Sequence, residues 1–193
     1  MLFRSPSGEA KDTETNQILA VGRLAARKGY GSLLRAFAEV NQKNPETEFL
    51  IVGRGDLKKR LIKQAKRLGV SSSVRINSGM PFDKLAEEFR NADLVVYPSY
   101  YEGQGLIPLE AMASGTPVAT VNHGPLPEMV DDSVGALFTM ADIESMSSVI
   151  LNLLSDPDDL ESRGKAGRER VLENFTFGQN AERFSQIYSQ LAN

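Results

Sequence analysis

Residues 94–118 read LVVYPSYYEGQGLIPLEAMASGTPV, and the fold turns on how this stretch is punctuated. Residues 94–97 form a short, continuous apolar run of strand type. Residues 106 to about 114 carry a helix, which Gly115 stops. Residues 118–121 are apolar again. Strand, helix and strand joined by short loops make a parallel β-α-β unit. The loop before the helix holds two glycines, Gly103 and Gly105. Glu102 precedes them, Glu110 follows in the early helix, and Pro108 suits the helix's first turn.

The same alternation continues on both sides. Upstream, strands are expected at 17–21, 49–52 and 74–76. Helices are expected at 29 to about 44, from Asp56 as its cap to about 68, and at 81–90. Leu33, Leu34, Phe37 and Val40 share one face of the first of these helices. Downstream, a sixth strand fits 136–138, and helices fit 143–154, 159–174 and 179–191. Strands that are apolar throughout belong to a parallel sheet covered on both faces. With right-handed crossovers the result is a doubly wound, Rossmann-like, three-layer α/β/α domain. Ligands of such a fold bind outside the carboxyl ends of the strands. Residues 1–16 are a polar lead-in or linker, and 17–193 form a single domain.

Composition narrows the function. The chain has 22 basic and 25 acidic residues, a net charge of −3, which gives no overall attraction for nucleic acid or an anionic membrane. The basic residues read as scattered, although a local cluster could bind a small anion. Cysteine is absent, so disulfides and thiolate metal sites are excluded, and a cytoplasmic location is the expectation. His123 is the only histidine, so no multi-histidine metal centre can form within the chain. No apolar run approaches the ~20 residues of a membrane helix. No G-x-G-x-x-G follows the first strand, which argues against a nicotinamide dehydrogenase.

Four strand-to-helix turns carry the candidate chemistry. The first is Gly22-Arg23-Leu24, followed by Lys28-Gly29. Its two cations suit a diphosphate: Arg23 can clamp two oxygens and Lys28 is a point charge. A solvated basic loop is an equal reading of those residues alone. The second is Gly53-Arg54-Gly55-Asp56, read as a tight turn capped by Asp56. The third holds Glu102, Gly103, Gly105, Leu106 and Ile107, where backbone amides and the helix dipole make an anion site. Carboxylates beside an anion need hydroxyl groups to accept from, and sugars supply them. The fourth contains His123, read as an ordinary surface or cap residue. Asp156-Pro157-Asp158 has the spacing of an acidic metal motif, but between two helices it reads as a cap and turn.

Gly22-Arg23-Leu24-x3-Lys28-Gly29, Glu102-x7-Glu110 and the run from Ala111 to Val118 resemble the retaining GT-B glycosyltransferases of family 4, or group 1. The match runs from about Gln17 to the C-terminus, including Phe175-Thr176-Phe177 before a helix with Tyr188. The resemblance implies the C-terminal, donor-binding domain of a two-domain enzyme, with an N-terminal acceptor domain elsewhere. It implies a UDP-, GDP- or ADP-sugar as donor and no metal or other cofactor. Arg23 and Lys28 then bind the diphosphate, Glu110 accepts from the ribose, and Glu102 holds the transferred sugar. Backbone around Gly22, Gly53, Gly103, Gly105, Leu106 and Ile107 meets the donor, and Arg75-Ile76 lies against the base. Catalysis is assigned to Glu102, Arg23 and Lys28. Peripheral membrane contact is expected only through the absent domain. The chain departs from the family pattern at Gln104, at His123-Gly124 and at Arg54. Two other readings are a non-catalytic nucleotide-sugar-binding subunit and a GT-B glycoside phosphorylase.

Overall fold

The computed structural model describes residues 15–191; all but two residues of the lead-in lie outside them. Six parallel strands form one sheet in the order β3-β2-β1-β4-β5-β6. They are β1 (Gln17–Val21), β2 (Glu48–Val52), β3 (Val74–Asn77), β4 (Leu94–Tyr97), β5 (Val118–Val121) and β6 (Gly135–Phe138). The chain steps outward from β1 through β2 to β3, then returns to β4 beside β1. The strand order therefore reverses between β1 and β4, where two neighbouring loops diverge and leave a crevice.

The expected three-layer α/β/α architecture is what forms. Helices α1 (Tyr30–Lys43), α2 (Lys58–Arg67) and α5 (Ile143–Leu154) lie together, with α1 against both others. Helices α3 (Phe82–Asn91), α4 (Leu106–Ala113) and α6 (Pro157–Asn174) form the other group, packed around α4. Leu33, Leu34, Phe37 and Val40 of α1 are fully buried, as their shared face requires. Helix α7 (Phe177–Leu191) closes the described chain and buries none of its residues.

The differences from sequence lie at element ends. Asp56 does not cap α2: that helix starts at Lys58 with no side-chain cap. The preceding turn is held instead by the Leu57 amide, which donates to the Leu24 carbonyl at 3.2 Å. A short 3-10 turn, Ala26–Lys28, precedes α1 and was not expected. Helix α6 begins at Pro157 because the Asp156 carboxylate caps it, accepting from the Asp159 amide at 3.0 Å. That assigns Asp156 to helix capping, in line with its reading as a cap.

Candidate functional site

The loops after β1 and β4 meet at Gly29. This residue caps α1 in the left-handed region, at φ 69°. A Cβ there would lie 2.1 Å from the Pro98 carbonyl oxygen, so only glycine lets the two backbones approach so closely. The Tyr100 amide donates to the Arg27 carbonyl at 2.8 Å, and the Ser32 and Tyr100 hydroxyls lie 2.8 Å apart. This seam carries Lys28, the last residue of the 3-10 turn, into the crevice between β1 and β4.

Lys28 is buried, and its Nζ forms an ion pair with Glu102 Oε1. The same Nζ donates to the Tyr97 hydroxyl at 2.7 Å and stands 5.0 Å from the centre of the Tyr97 ring. Tyr97 in turn donates to Glu102 Oε1 at 2.7 Å, and the Ser99 hydroxyl donates to the same oxygen. Burial by itself raises the Glu102 pKa. Hydrogen bonds from Lys28, Ser99 and Tyr97 outweigh it and hold the carboxyl below its usual range. Glu102 therefore stays an anion and presents one oxygen, Oε2, that none of these donors occupies. Tyr97 and Tyr30 are pushed the other way, first by burial and then by the nearby Glu102, so both remain neutral phenols. Lys28 has three N–H donors and uses two, leaving one for an incoming oxygen.

Three residues after Glu102, Gly105 caps α4 at φ 81°. A Cβ at Gly105 would sit 2.7 Å from Leu126 Cδ2, so this turn needs glycine for conformation and for space. No side chain caps α4, and its first amides, at Leu106 and Ile107, have no acceptor within the helix. Gly103 is exposed in the same loop. Glu110 stands one turn into α4 with its carboxylate at the surface, and among the described residues no protein group donates to it. Neighbouring atoms strip part of its hydration and raise its pKa. An anion that is partly desolvated yet unpaired is ready to accept from hydroxyl groups.

The other predicted residues sit differently. Arg23 is exposed on the loop after β1, and its side chain has no hydrogen bond or ion pair among the described residues. The Gly22 amide is already used by the Val52 carbonyl at 2.9 Å, and the Gly53 amide by Asn77 at 2.8 Å. Those two glycines stitch loops together. Arg54 Nε donates to the Ser78 carbonyl at 2.8 Å. Arg75 pairs at 2.8 Å with Glu48, the first residue of β2, and so reaches the amino end of that strand. Ile76 is half-buried beside it on β3. The structure thus brings Lys28 and Glu102 together and does not bring Arg75 to them. His123 is exposed at its turn. Among the described residues no three metal-ligating side chains converge.

Three residues around Glu102 escaped the sequence reading: Tyr30, Tyr97 and Ser99. In sequence Tyr97 reads only as the last apolar residue of a strand, and Ser99 and Tyr30 carry no motif. The one sequence signal is the position of Tyr97, because a residue ending a parallel strand faces the ligand edge.

The sheet is that of a doubly wound, Rossmann-like domain, with a cation–carboxylate cluster and an uncapped helix start at its topological switch point, and its structural neighbours make it one of GT-B type. The family model for glycosyl transferases group 1 matches residues 4–170, and the chain belongs to that family. It is 31% identical to a GDP-mannose-dependent alpha-(1-6)-phosphatidylinositol monomannoside mannosyltransferase of Mycolicibacterium smegmatis, over 89% of this chain and 47% of that protein. Its fold superposes on sucrose-phosphate synthase from Thermosynechococcus elongatus with a TM-score of 0.84 and 32% identity, over 92% of this chain and 46% of that one. It also matches the C-terminal domain of a group 1 family protein from Francisella tularensis, with a TM-score of 0.75 and 27% identity, over 84% and 87% of the two chains. The chain spans about half the length of the curated relatives it matches. No helix among the described residues is long and apolar enough to cross a membrane.

Proposed function

We propose that this chain is the donor-binding half of a retaining glycosyltransferase and holds a nucleoside-diphosphate sugar at the β1–β4 crevice. The observation that carries this reading is the Lys28–Glu102 pair beside the uncapped start of α4. The diphosphate lies over the Leu106 and Ile107 amides, with Arg23 and the spare Lys28 donor as counter-charges. Glu110 accepts from the ribose hydroxyls, and the free Oε2 of Glu102 accepts from a hydroxyl of the transferred sugar. One relative uses GDP-mannose; UDP, GDP and ADP sugars are all within this reading.

In the reaction, the bond from the anomeric carbon to the diphosphate breaks and the diphosphate leaves with the electron pair. An acceptor hydroxyl bonds to the same face of the sugar and passes its proton to the departing diphosphate oxygen. Negative charge grows on the leaving oxygens, where Lys28 and the α4 amides are held in place and the exposed Arg23 supplies a second positive charge. These cations take the place of a metal ion. Residues 17–193 form the donor domain, an N-terminal half supplies the acceptor site, and both work in the cytoplasm. In the complete protein, Glu102→Gln is expected to lower kcat at least about tenfold, from the loss of one charged hydrogen bond. Unchanged turnover would overturn the role of Glu102.

A further inference from the structure

We propose that the outer face of α2 is a docking surface for an anionic phospholipid membrane. The charge of this chain is not evenly spread. The protein carries a net −3, yet α2 reads KKRLIKQAKR, with six cations and no acid in ten residues. Structure places them on one side: Leu61, Gln64 and Ala65 face the core, while Lys59, Arg60, Lys63, Lys66 and Arg67 are exposed. None of those five has a side-chain hydrogen bond or ion pair among the described residues. A helix that merely solvates its outer face usually intersperses acids as i,i+4 partners, as α6 does with Asp159–Arg163 and Glu161–Lys165. Here mutual repulsion is left uncompensated, which makes an external polyanion the missing partner.

The face continues into a cleft of about 230 Å³ between α1 and α2. Arg35 and Arg60 line it, with Ser32, Gln64 and Tyr100, and no acidic residue does. Two arginine forks at the rim of a small polar cleft suit a phosphate-bearing headgroup. Lys59, Lys63 and Lys66 lie about a turn apart along the outermost line of the helix, a spacing that matches a diffuse negative surface. Ile62 is 40% exposed at the edge of this line and can enter the headgroup layer. Nucleic acid fits less well, because α2 offers no aromatic ring for bases to stack on. The basic residues of α2, with Arg35, thus form one patch, and this proposal stands apart from the donor-site reading.

The test is co-sedimentation of the chain with vesicles of phosphatidylglycerol and phosphatidylcholine, against vesicles of phosphatidylcholine alone. Binding is expected only with the anionic vesicles, and is expected to vanish near 1 M NaCl, where the screening length falls to ~3 Å. The K59E/K63E/K66E variant is expected to lose at least about tenfold in partitioning while keeping its Tm. A variant with the same charge change elsewhere, K84E/K165E/R183E, is expected to bind like wild type. No sedimentation with anionic vesicles would overturn the proposal, as would an equal loss in both triple variants. Displacement by inorganic phosphate at matched ionic strength would reassign the patch to a free anion, and preference for a single-stranded oligonucleotide would reassign it to nucleic acid. Either result would overturn a membrane surface.

Discussion

Lys28 and Glu102 are 74 residues apart in sequence and form a nearly buried ion pair at the reversal point of the sheet. Removing one partner strands the other in a site where its charge has little water. Lys28→Met is therefore expected to destabilise the fold by about 3–5 kcal/mol, and Glu102→Gln by less, because the amide keeps an acceptor. A double-mutant cycle by denaturant unfolding is expected to give a coupling energy of at least about 1 kcal/mol. Additive effects would mean that the two side chains do not interact in solution.

The pH dependence follows from the lowered Glu102 pKa. A carboxyl whose folded pKa lies below its unfolded value adds stability above the unfolded pKa. That contribution is lost as pH falls through the folded value. The melting temperature should thus drop below about pH 4, with an acid limb that Glu102→Gln flattens. Thermal melts of both proteins across that range check the sign.

Tyr97 is the residue that ties the pair together, since its hydroxyl accepts from Lys28 and donates to Glu102. Tyr97→Phe keeps the ring and removes both bonds, at an expected cost of about 1–3 kcal/mol. It also removes one of the bonds that lower the Glu102 pKa, so the acid limb of the melting curve should move to higher pH. A stability loss without that movement would make Tyr97 a packing residue only.

How much of this was legible in sequence depends on range. The strands and helices follow from apolar runs and stop signals, which are local, and residues 94–121 alone dictate the β-α-β unit. The Asp56 cap failed because a backbone bond from Leu57 to the loop after β1 set the start of α2, and that contact is non-local. Glu102 and Lys28 were both identified, but not as partners, because their meeting depends on the Gly29–Pro98 contact. Tyr97 and Ser99 carried no motif signal, since their role is to donate to one oxygen that the fold delivers. The clustering of lysines on α2 was visible in the sequence, yet averaging charge over the whole chain concealed it.

Glu110 is expected to trade stability against binding. Its carboxylate is partly desolvated and unpaired among the described residues, so Glu110→Gln should raise the Tm slightly at neutral pH. The same change should weaken nucleoside-diphosphate binding about tenfold or more, by removing a charged acceptor for the ribose. A lower Tm with unchanged binding would place Glu110 in the scaffold.

The central claim is a nucleoside-diphosphate site at the β1–β4 crevice, and isothermal titration calorimetry of the chain with UDP, GDP and ADP tests it most directly. Saturable one-site binding of at least one of them is expected, weakened about tenfold or more by Arg23→Ala, which breaks no side-chain hydrogen bond or ion pair among the described residues. Absence of heat with all three nucleotides, or binding that Arg23→Ala leaves unchanged, would contradict the account.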